Sequence, residues 1–352
     1  MRDKCLVIGD THFDTKCEGY LDSQLKATLA TVSKHKPKFV VFLGDIYHHR
    51  KPTPEVIVGV HRLFKKLALI PGVTKIFVLR GNHDSQNRSD DGLTALETLE
   101  YPGSKVKVVK HTHMNADLNM LFIPHYESED VIRADLSSAQ DKNTVAFGHF
   151  SYSPKCFGLH GFESTLEQKD FKCRTILGHI HKYLTDGKVT VLGTPWSTNY
   201  GECDYDHYVG IMERTSKGWG VMKTVEVEMG PRYYEAPYES LDAMSDDISK
   251  GSHFLMLRVL MDKFTEAPPN VLREELSTRY KVGNVELKFK PIYNSDMNNR
   301  LSNYDPDTPL TVIDGDIIKR YIEEQASTIP TDRLEEGLNL IKEHDNQTSE
   351  SE

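Results

Sequence analysis

The fold is decided by three apolar runs near the amino terminus, which read CLVIGDTH at residues 5–12, FVVFLGD at residues 39–45 and IFVLRGNHD at residues 76–84. Each run has the length of a buried strand and passes through a glycine into polar residues. Apolar residues at helical spacing fill residues 21–35 and recur after Pro54. This alternation predicts β-α-β-α-β, which is a sheet with covering helices.

The chain beyond these runs predicts more sheet than helix. Further short strands are predicted at Val106–Val109, Leu118–Ile123, Val145–Phe147, Thr175–Leu177 and Val189–Leu192. After about Gly230 a strand, a helix and a strand are predicted near residues 254–260, 270–279 and 285–290. We therefore predict a core domain at residues 1–230, a cap domain at residues 231–295, and a linker with C-terminal helices and an acidic tail at residues 296–352.

The composition is that of an ordinary soluble globular protein. Hydrophobic residues make up 38% and charged residues 27% of the chain, which excludes the biased composition of disordered chains. No apolar run approaches the ~20 residues of a membrane span, and Asp10 interrupts the amino-terminal one. The five cysteines show no C-x-x-C spacing and predict reduced thiols. We therefore expect a cytoplasmic protein, in the host cytoplasm if a bacteriophage encodes it.

The net charge of −9 belongs to the carboxyl-terminal tail. Residues 301–352 carry 4 Lys/Arg and 13 Asp/Glu, so the rest of the chain is neutral. Residues 253–300 carry 8 Lys/Arg against 6 Asp/Glu, which is only slightly basic. Binding to nucleic acid would therefore need a local basic groove or metal ions that hold phosphate.

Residues that commonly bind metals follow the predicted strands. Because open sheets place their sites at the carboxyl ends of strands, these residues are expected to share one cleft. The candidates are Asp10, His12, Asp45, Asn82, His149, His179 and His181. Carboxylate, amide and imidazole ligands favour Mn²⁺, Fe²⁺ or Zn²⁺. Seven ligands are too many for one ion and favour two ions about 3.5–4 Å apart, bridged by a carboxylate, an arrangement that hydrolyses phosphate esters.

Simpler interpretations exist for each residue taken alone. Gly-Asp and Gly-His pairs occur by chance in turns, and Asp10 and Asp45 could be helix N-caps after βα turns. Asn82 and His83 could belong to a hairpin turn. The ordered series, with each member placed after a strand, favours the metal site.

The series D-x-H, G-D, G-N-H-D, G-H and G-H-x-H resembles the calcineurin-like metallophosphoesterases over about residues 1–200. The resemblance implies an α/β fold, with a β-sandwich core flanked by helices, a small α+β cap domain and C-terminal helices. It implies that Asp10, His12 and His181 hold one metal, that Asn82, His149 and His179 hold the other, and that Asp45 bridges them. It also implies that His83 protonates the departing oxygen as a general acid.

The residues around the second motif, G-D at residues 44–45, distinguish between branches of this family. Protein phosphatases have G-D-x-x-D-R-G there, whereas residues 44–50 read GDIYHHR and are followed by KPTP at residues 51–54. This stretch, with GTPW at residues 193–196, resembles the SbcD branch of DNA-repair nucleases. In that branch the histidine three residues after the bridging aspartate lies near the phosphate, which makes His48 a second catalytic candidate. A solvent-facing loop histidine is its alternative role, and Trp196 could equally serve packing.

The same resemblance implies partners. SbcD-like nucleases contact DNA through a cap and dock their C-terminal helices on an SbcC-type ABC ATPase, as a homodimer within a heterotetramer. The apolar stripes that would suit such a groove are Ile313, Ile317, Tyr321, Leu334, Leu338 and Ile341, which could equally pack on their own core. The short length beyond the second domain is closer to bacteriophage recombination-endonuclease subunits than to cellular nucleases.

The function expected from the sequence is that of a DNA nuclease with two metal ions, most simply Mn²⁺, in recombination, repair or replication. A phosphodiesterase for small nucleotides or cyclic phosphodiesters would share the site and differ in the cap. A non-catalytic scaffold with structural metals is a third interpretation, and it leaves His83 without a purpose. His111 and His113 match no family position and are predicted to be surface residues, and His49, His125, His160 and His207 are given no role.

Overall fold

The computed structural model describes residues 2–87, 93–139, 141, 143–152, 164–242, 252–261 and 268–289. Its first sheet begins with four parallel strands in chain order, β1 Lys4–Ile8, β2 Phe39–Phe42, β3 Lys75–Leu79 and β4 Val106–Val109. Helix α1, Tyr20–His35, joins β1 to β2, and helix α2, Pro54–Leu69, joins β2 to β3. The predicted β-α-β-α-β order is confirmed.

The second sheet has the order β5-β6-β7-β8-β10-β9. Its strands are β5 His113–Asn115, β6 Met120–Ile123, β7 Val145–Gly148, β8 Arg174–Leu177, β9 Leu184–Asp186 and β10 Val189–Val191. β6, β7, β8 and β10 are mutually parallel, and helix α3, Glu129–Ser137, lies between β6 and β7 in the chain. The four strands predicted here in the second half of the core are confirmed, each within two residues of its expected start.

Three antiparallel strands complete the first sheet. They are β11 Tyr208–Thr215, β12 Gly218–Trp219 and β13 Lys223–Glu226. β11 pairs with β1, and both β12 and β13 pair with β11. The chain thus returns to its first strand after completing the second sheet.

Alternating side chains divide the interior into layers, because successive residues of a strand point to opposite faces. On β1, Val7 faces a core between the two sheets, which also receives Phe77 and Phe147. Leu6 points the other way, into a core that contains Phe64 of α2. A third core covers the outer face of the second sheet. The predicted β-sandwich core flanked by helices is confirmed.

A small third sheet packs near α1. Its strands are β14 Met229–Pro237, β15 Ser252–Met261 and β16 Asn284–Phe289, with helix α4, Pro269–Tyr280, preceding the last strand. Tyr233 and Phe254 pack edge-on against Tyr20 of α1, with ring centroids 6.5 and 6.0 Å away. The predicted strand, helix and strand are all present.

Residues Met1–Leu260 and Pro269–Lys288 form one compact unit. A second unit comprises residues 261–268 and 289–352, nearly all of which lie outside the described residues. The predicted linker and C-terminal helices at residues 296–352 are among those outside, and the predicted domain boundaries near residues 230 and 295 stay predictions. None of the helices in the described ranges is long and apolar enough to cross a bilayer.

Candidate metal centre

The structure brings the seven predicted ligands together where parallel strands of both sheets end. Asp10 and His12 follow β1, Asp45 follows β2, Asn82 follows β3, His149 follows β7, and His179 and His181 follow β8. Most of these side chains are buried, and His181 keeps 26% of its side chain exposed. The predicted ligands therefore lie at one edge of the sandwich, and both sheets contribute to it.

One group of donor atoms comprises Asp10, His12 and His181, whose ligand atoms all lie within 4.8 Å of one another. Nε2 of His12 is 3.0 Å from Nε2 of His181. Nε2 of His181 is in turn 4.0 Å from Oδ2 of Asp10. Two donors each about 2.1 Å from an ion lie at most about 4.2 Å apart, so this group could hold one divalent cation.

A second group comprises Asp45, His149 and His179. Asn82 belongs with it, because its Oδ1 is 3.0 Å from Nε2 of His149 and 3.0 Å from Nδ1 of His179. Oδ2 of Asp45 is 3.4 Å from Nε2 of His149 and 3.7 Å from Nε2 of His12 in the first group. One carboxylate oxygen therefore reaches both groups, which is the position of a bridging ligand.

The hydrogen bonds of two histidines fix which ring nitrogen is left to face the centre. Nδ1 of His149 lies 2.8 Å from the main-chain oxygen of Leu43, and Nδ1 of His181 lies 2.7 Å from Oε1 of Glu202. Both partners only accept, so Nδ1 must donate in each case and a neutral ring presents a lone pair at Nε2. That lone pair of His149 faces Oδ1 of Asn82, another acceptor. Converging acceptors require a cation or an added proton between them.

The carboxylate of Asp10 gives a further sign of a cation. Its Oδ2 accepts the backbone N–H of His179 at 2.7 Å, but among the described residues no atom hydrogen-bonds with its buried Oδ1. Buried polar atoms nearly always have a partner. The residues present thus fit the divalent cations implied by their chemistry.

The electrostatics of the centre also favour positive charge there. Burial raises the pKa of Asp10 to about 7. Burial opposes the charge on His149 too, but the carboxylates of Asp45 and Asp10 outweigh it and raise the pKa of His149 to about 9. Burial holds the pKa of His12 well below its usual value and lowers the pKa of His179 to about 3. His12 and His179 are therefore neutral, as metal ligands must be.

Three predicted ligands have left-handed backbone conformations. The φ angles are 44° at His12, 46° at Asp45 and 78° at His179. Such residues cost of the order of 1–3 kcal/mol each and persist where the surroundings hold them, commonly at functional sites. Here the N–H of His12 donates to the main-chain oxygen of Asp45 at 2.9 Å, which ties the first two loops together.

Two glycines allow the loops to approach the carboxylates. A Cβ at Gly178 would lie 2.3 Å from Oδ1 of Asp10, and one at Gly81 would lie 2.1 Å from Oδ1 of Asp45. Real Cβ atoms essentially never come so close. The glycines before His179 and Asn82 are thus required by the close packing of the ligands.

His83 lies beside the donor groups and belongs to neither. Its N–H donates to Oδ1 of Asp45 at 2.8 Å, and its Nδ1 is 2.6 Å from the main-chain oxygen of His48. Because that oxygen only accepts, Nδ1 carries the hydrogen and Nε2 is the nitrogen that can exchange a proton. The His48 ring stacks 6.1 Å from the His83 ring, and burial lowers the pKa of His48 to about 4.

Sequence reasoning missed the residues that support the ligands. Glu202 is 4% exposed, and its carboxylate accepts from Thr198, Asn199 and His181. Burial raises the pKa of Glu202, but the hydrogen bond and charge of His181 and the hydrogen bonds from Thr198 together outweigh it, so the pKa lies below its usual value. The motif residue Asp84 accepts the N–H groups of Tyr47 and Gly81 and so joins two ligand loops. Glu202 follows no motif or strand, so the sequence offers no signal for it.

The other histidines have varied positions. His125, which was given no role, has its ring centroid 5.8 Å from that of His179 and borders the second group. His207 is buried, 2.9 Å from the hydroxyl of Ser197, and His113 stacks on Phe122 away from the centre. His160 lies outside the described residues. Trp196 is buried and donates its indole N–H to the main-chain oxygen of Thr11 at 3.0 Å, which fits its packing alternative.

Comparison with known proteins points to one family. The family model described as calcineurin-like phosphoesterase matches residues 4–183, a span that contains all seven candidate ligands. No curated protein matches the chain. Among the 70 matching chains of solved structures is the crystal structure of a cold-active protein-tyrosine phosphatase of a psychrophile Shewanella species. The match has 13% identity and a TM-score of 0.30, and it covers 64% of this chain and 81% of that one.

Proposed function

The chain belongs to the calcineurin-like phosphoesterase family, and from that premise we propose that it is a nuclease that hydrolyses phosphodiester bonds in DNA. Membership implies a metal-dependent hydrolase of phosphoesters, and the structure has candidate groups for the metals. The observation that carries the proposed phosphodiester hydrolysis is the single oxygen Oδ2 of Asp45, which reaches donors of both groups. This is the arrangement of a two-metal phosphoesterase.

The proposed ligand sets follow the two groups. Asp10, His12 and His181 would hold one cation, Asn82, His149 and His179 the other, and Asp45 both. Bound there, two divalent cations would lower the pKa of a water to give the nucleophile and neutralise charge on the phosphate. The mixed set of carboxylate, amide and imidazole donors suits Mn²⁺, Fe²⁺ or Zn²⁺, and of these Mn²⁺ is the proposed metal.

His83 is proposed as the general acid. The main-chain oxygen of His48 fixes hydrogen on Nδ1 of His83, so Nε2 is the atom that would give a proton to the departing sugar oxygen. The N–H of His83 on Asp45 holds the ring next to the candidate bridging carboxylate. The side chain of His48, 29% exposed at the rim, is proposed to act on the phosphate.

The choice of DNA rests on resemblance rather than on the site. The stretches GDIYHHRKPTP at residues 44–54 and GTPW at residues 193–196 resemble the SbcD branch of nucleases. A phosphodiesterase for small nucleotides or cyclic phosphodiesters is the second candidate, because the same metal centre would serve it. Cleavage of a small chromogenic diester without cleavage of DNA would favour that candidate.

The proposed partner is an SbcC-type ABC ATPase, with the nuclease as a homodimer in a heterotetramer. The apolar stripes of residues 313–341, which would dock on it, lie outside the described residues. Loss of ATPase co-purification on truncation after residue 300, with the full chain retaining it, would support the docking. The mass of the complex measured by light scattering tests the heterotetramer.

The deciding experiment is Mn²⁺-dependent cleavage of linear and hairpin double-stranded DNA, with the ATPase and ATP added in parallel. His83→Ala should lose about 10²–10⁴-fold in rate while keeping its metal content, because it removes a proton donor and no ligand. His111→Ala, which removes an exposed histidine that belongs to none of the candidate metal groups, is the matched control. No cleavage of DNA by the wild type under any of these conditions would move the small-diester function ahead. Unchanged function in His83→Ala would favour a scaffold.

A further inference from the structure

A third set of possible metal ligands lies beside the two groups. It comprises Asp14, His48 and His49, whose ligand atoms all lie within 4.8 Å of one another. Nε2 of His48 is 4.0 Å from Oδ2 of Asp14, and Nε2 of His49 is 3.7 Å from Oδ1 of Asp14. The two imidazole rings are 4.7 Å apart. These distances exceed a hydrogen bond but fit donors that share one ion, which lie up to about 4.2 Å apart.

The backbone holds this set in place. The N–H of Phe13 donates to the main-chain oxygen of Ile46 at 2.8 Å, and that of His48 to the main-chain oxygen of Phe13 at 3.2 Å. Asp14 itself donates its N–H to Gln24, a fully buried residue that also donates to the main-chain oxygen of His12. The loops that carry the three side chains are thus joined before any ion binds.

The side chains carry signs of an incomplete site. The carboxylate of Asp14 is only 11% exposed, and its Oδ1 accepts the N–H of Thr15 at 2.8 Å. Nδ1 of His48 is buried, and no described residue hydrogen-bonds with it. Because buried polar atoms nearly always have partners, hydrogen bonds do not account for the position of this ring. A cation bound through Nε2 of His48, which is 4.0 Å from Asp14, would hold the ring in place.

We propose that Asp14, His48 and His49 bind a third divalent cation, separate from the two of the metal centre. Two imidazoles and one carboxylate suit Mn²⁺, Fe²⁺ or Zn²⁺ and leave coordination positions open for water or a phosphate oxygen. The His48 ring is 5.4 Å from that of His12, so the third site borders the metal centre on the side of His83. His48 would then act on a phosphate through the cation.

The action on phosphate rests on the proposed function, but the site itself does not. Metal content therefore tests the site without an activity assay. The full chain is dialysed against rising Mn²⁺ up to millimolar free concentration, and bound metal is measured by mass spectrometry. The wild type is expected to bind three ions and His49→Ala two. His49 is 64% exposed in its side chain, so its loss should leave the fold intact.

Asp14→Asn gives a second variant that should also bind two ions, and His111→Ala is the control that should bind three. The same number of bound ions in the wild type as in both His49→Ala and Asp14→Asn would overturn the third site. Three ions with no cleavage of any phosphodiester would keep the site and refute the proposed function. Cleavage by a wild type that binds no more ions than the two variants would keep the proposed function and refute the third site.

Discussion

The two sheets of the sandwich contribute different chemistry to the metal centre. The first sheet supplies all the candidate oxygen donors, from Asp10, Asp45 and Asn82, with one imidazole from His12. The second sheet supplies imidazoles alone, from the loops after β7 and β8. Each donor group draws on both sheets, so neither sheet holds a complete site. Metal binding should therefore report on the packing of the sandwich, and bound metal should hold its layers together.

The sheets also fix their ligands in different ways. In the first sheet, His12 and Asp45 have left-handed conformations, as His179 has in the second, and main-chain hydrogen bonds join the loops that carry His12 and Asp45. In the second, His149 and His181 are oriented by what their Nδ1 atoms bond to. Loss of Asp45 from the first sheet should therefore disrupt both groups, whereas loss of a single imidazole from the second should be confined to one.

The largest effect is expected from Asp45→Ala, which removes the carboxylate oxygen Oδ2 that reaches donors of both groups. Both cations should be lost or weakened, and the rate should fall by more than about 10⁴-fold, because metal catalysis supplies several kcal/mol. His149→Ala, on the other sheet, should spare the cation of the first group. Metal content and cleavage rate measured together test this asymmetry. Equal metal loss in the two variants would contradict it.

A smaller effect, on the melting temperature, is expected when metal is removed from the wild type. Each site that binds the folded state alone adds about 2.7 kcal/mol at a metal concentration 100 times its Kd, so chelation should lower the melting temperature by several degrees. Asp45→Ala serves as the comparison, because it should melt at nearly the same temperature with and without metal. A wild type whose melting is indifferent to metal would show that the cations do not link the sheets.

The smallest effect is expected at Glu202, which supports one ligand of the second sheet. Loss of such a supporting group typically costs 10–100-fold in metal affinity, so Glu202→Ala should weaken the cation held by His181 by that factor. Glu202→Gln keeps an acceptor and most of the volume, and should lose less. Calorimetric titration of metal would show one weakened site and one unchanged site. Weakening of both would mean that the loss is structural.

Much of the fold could be predicted because its central strands are continuous apolar runs and its second helix has strong start signals. Thr53 caps that helix by accepting the N–H of Val56, with Pro54 in its first turn. The edge strands β5 and β9 escaped prediction because they are three residues long and half-exposed. The antiparallel return of β11 to β1 depends on contacts about 200 residues apart, which no local pattern encodes.

The candidate site could be predicted as a set of residues, since each ligand follows a strand and a glycine. The residues that support the ligands could not be predicted, because Glu202 lies 21 residues beyond His181 in a loop without a motif. Asp14 was missed for a similar reason. It approaches His48 and His49 only because the loops after β1 and β2 pair through Phe13 and Tyr47.

The hydrogen-bond acceptors that orient His149 and His181 differ in how easily evolution or an engineer can alter them. His149 is oriented by the main chain of Leu43, and no side-chain substitution can delete a peptide oxygen. His181 is oriented by a side chain, so one codon change at Glu202 alters it. Substitutions thus cannot remove the acceptor that orients His149, whereas the affinity for the cation held by His181 can be adjusted in small steps at Glu202 without changing a ligand.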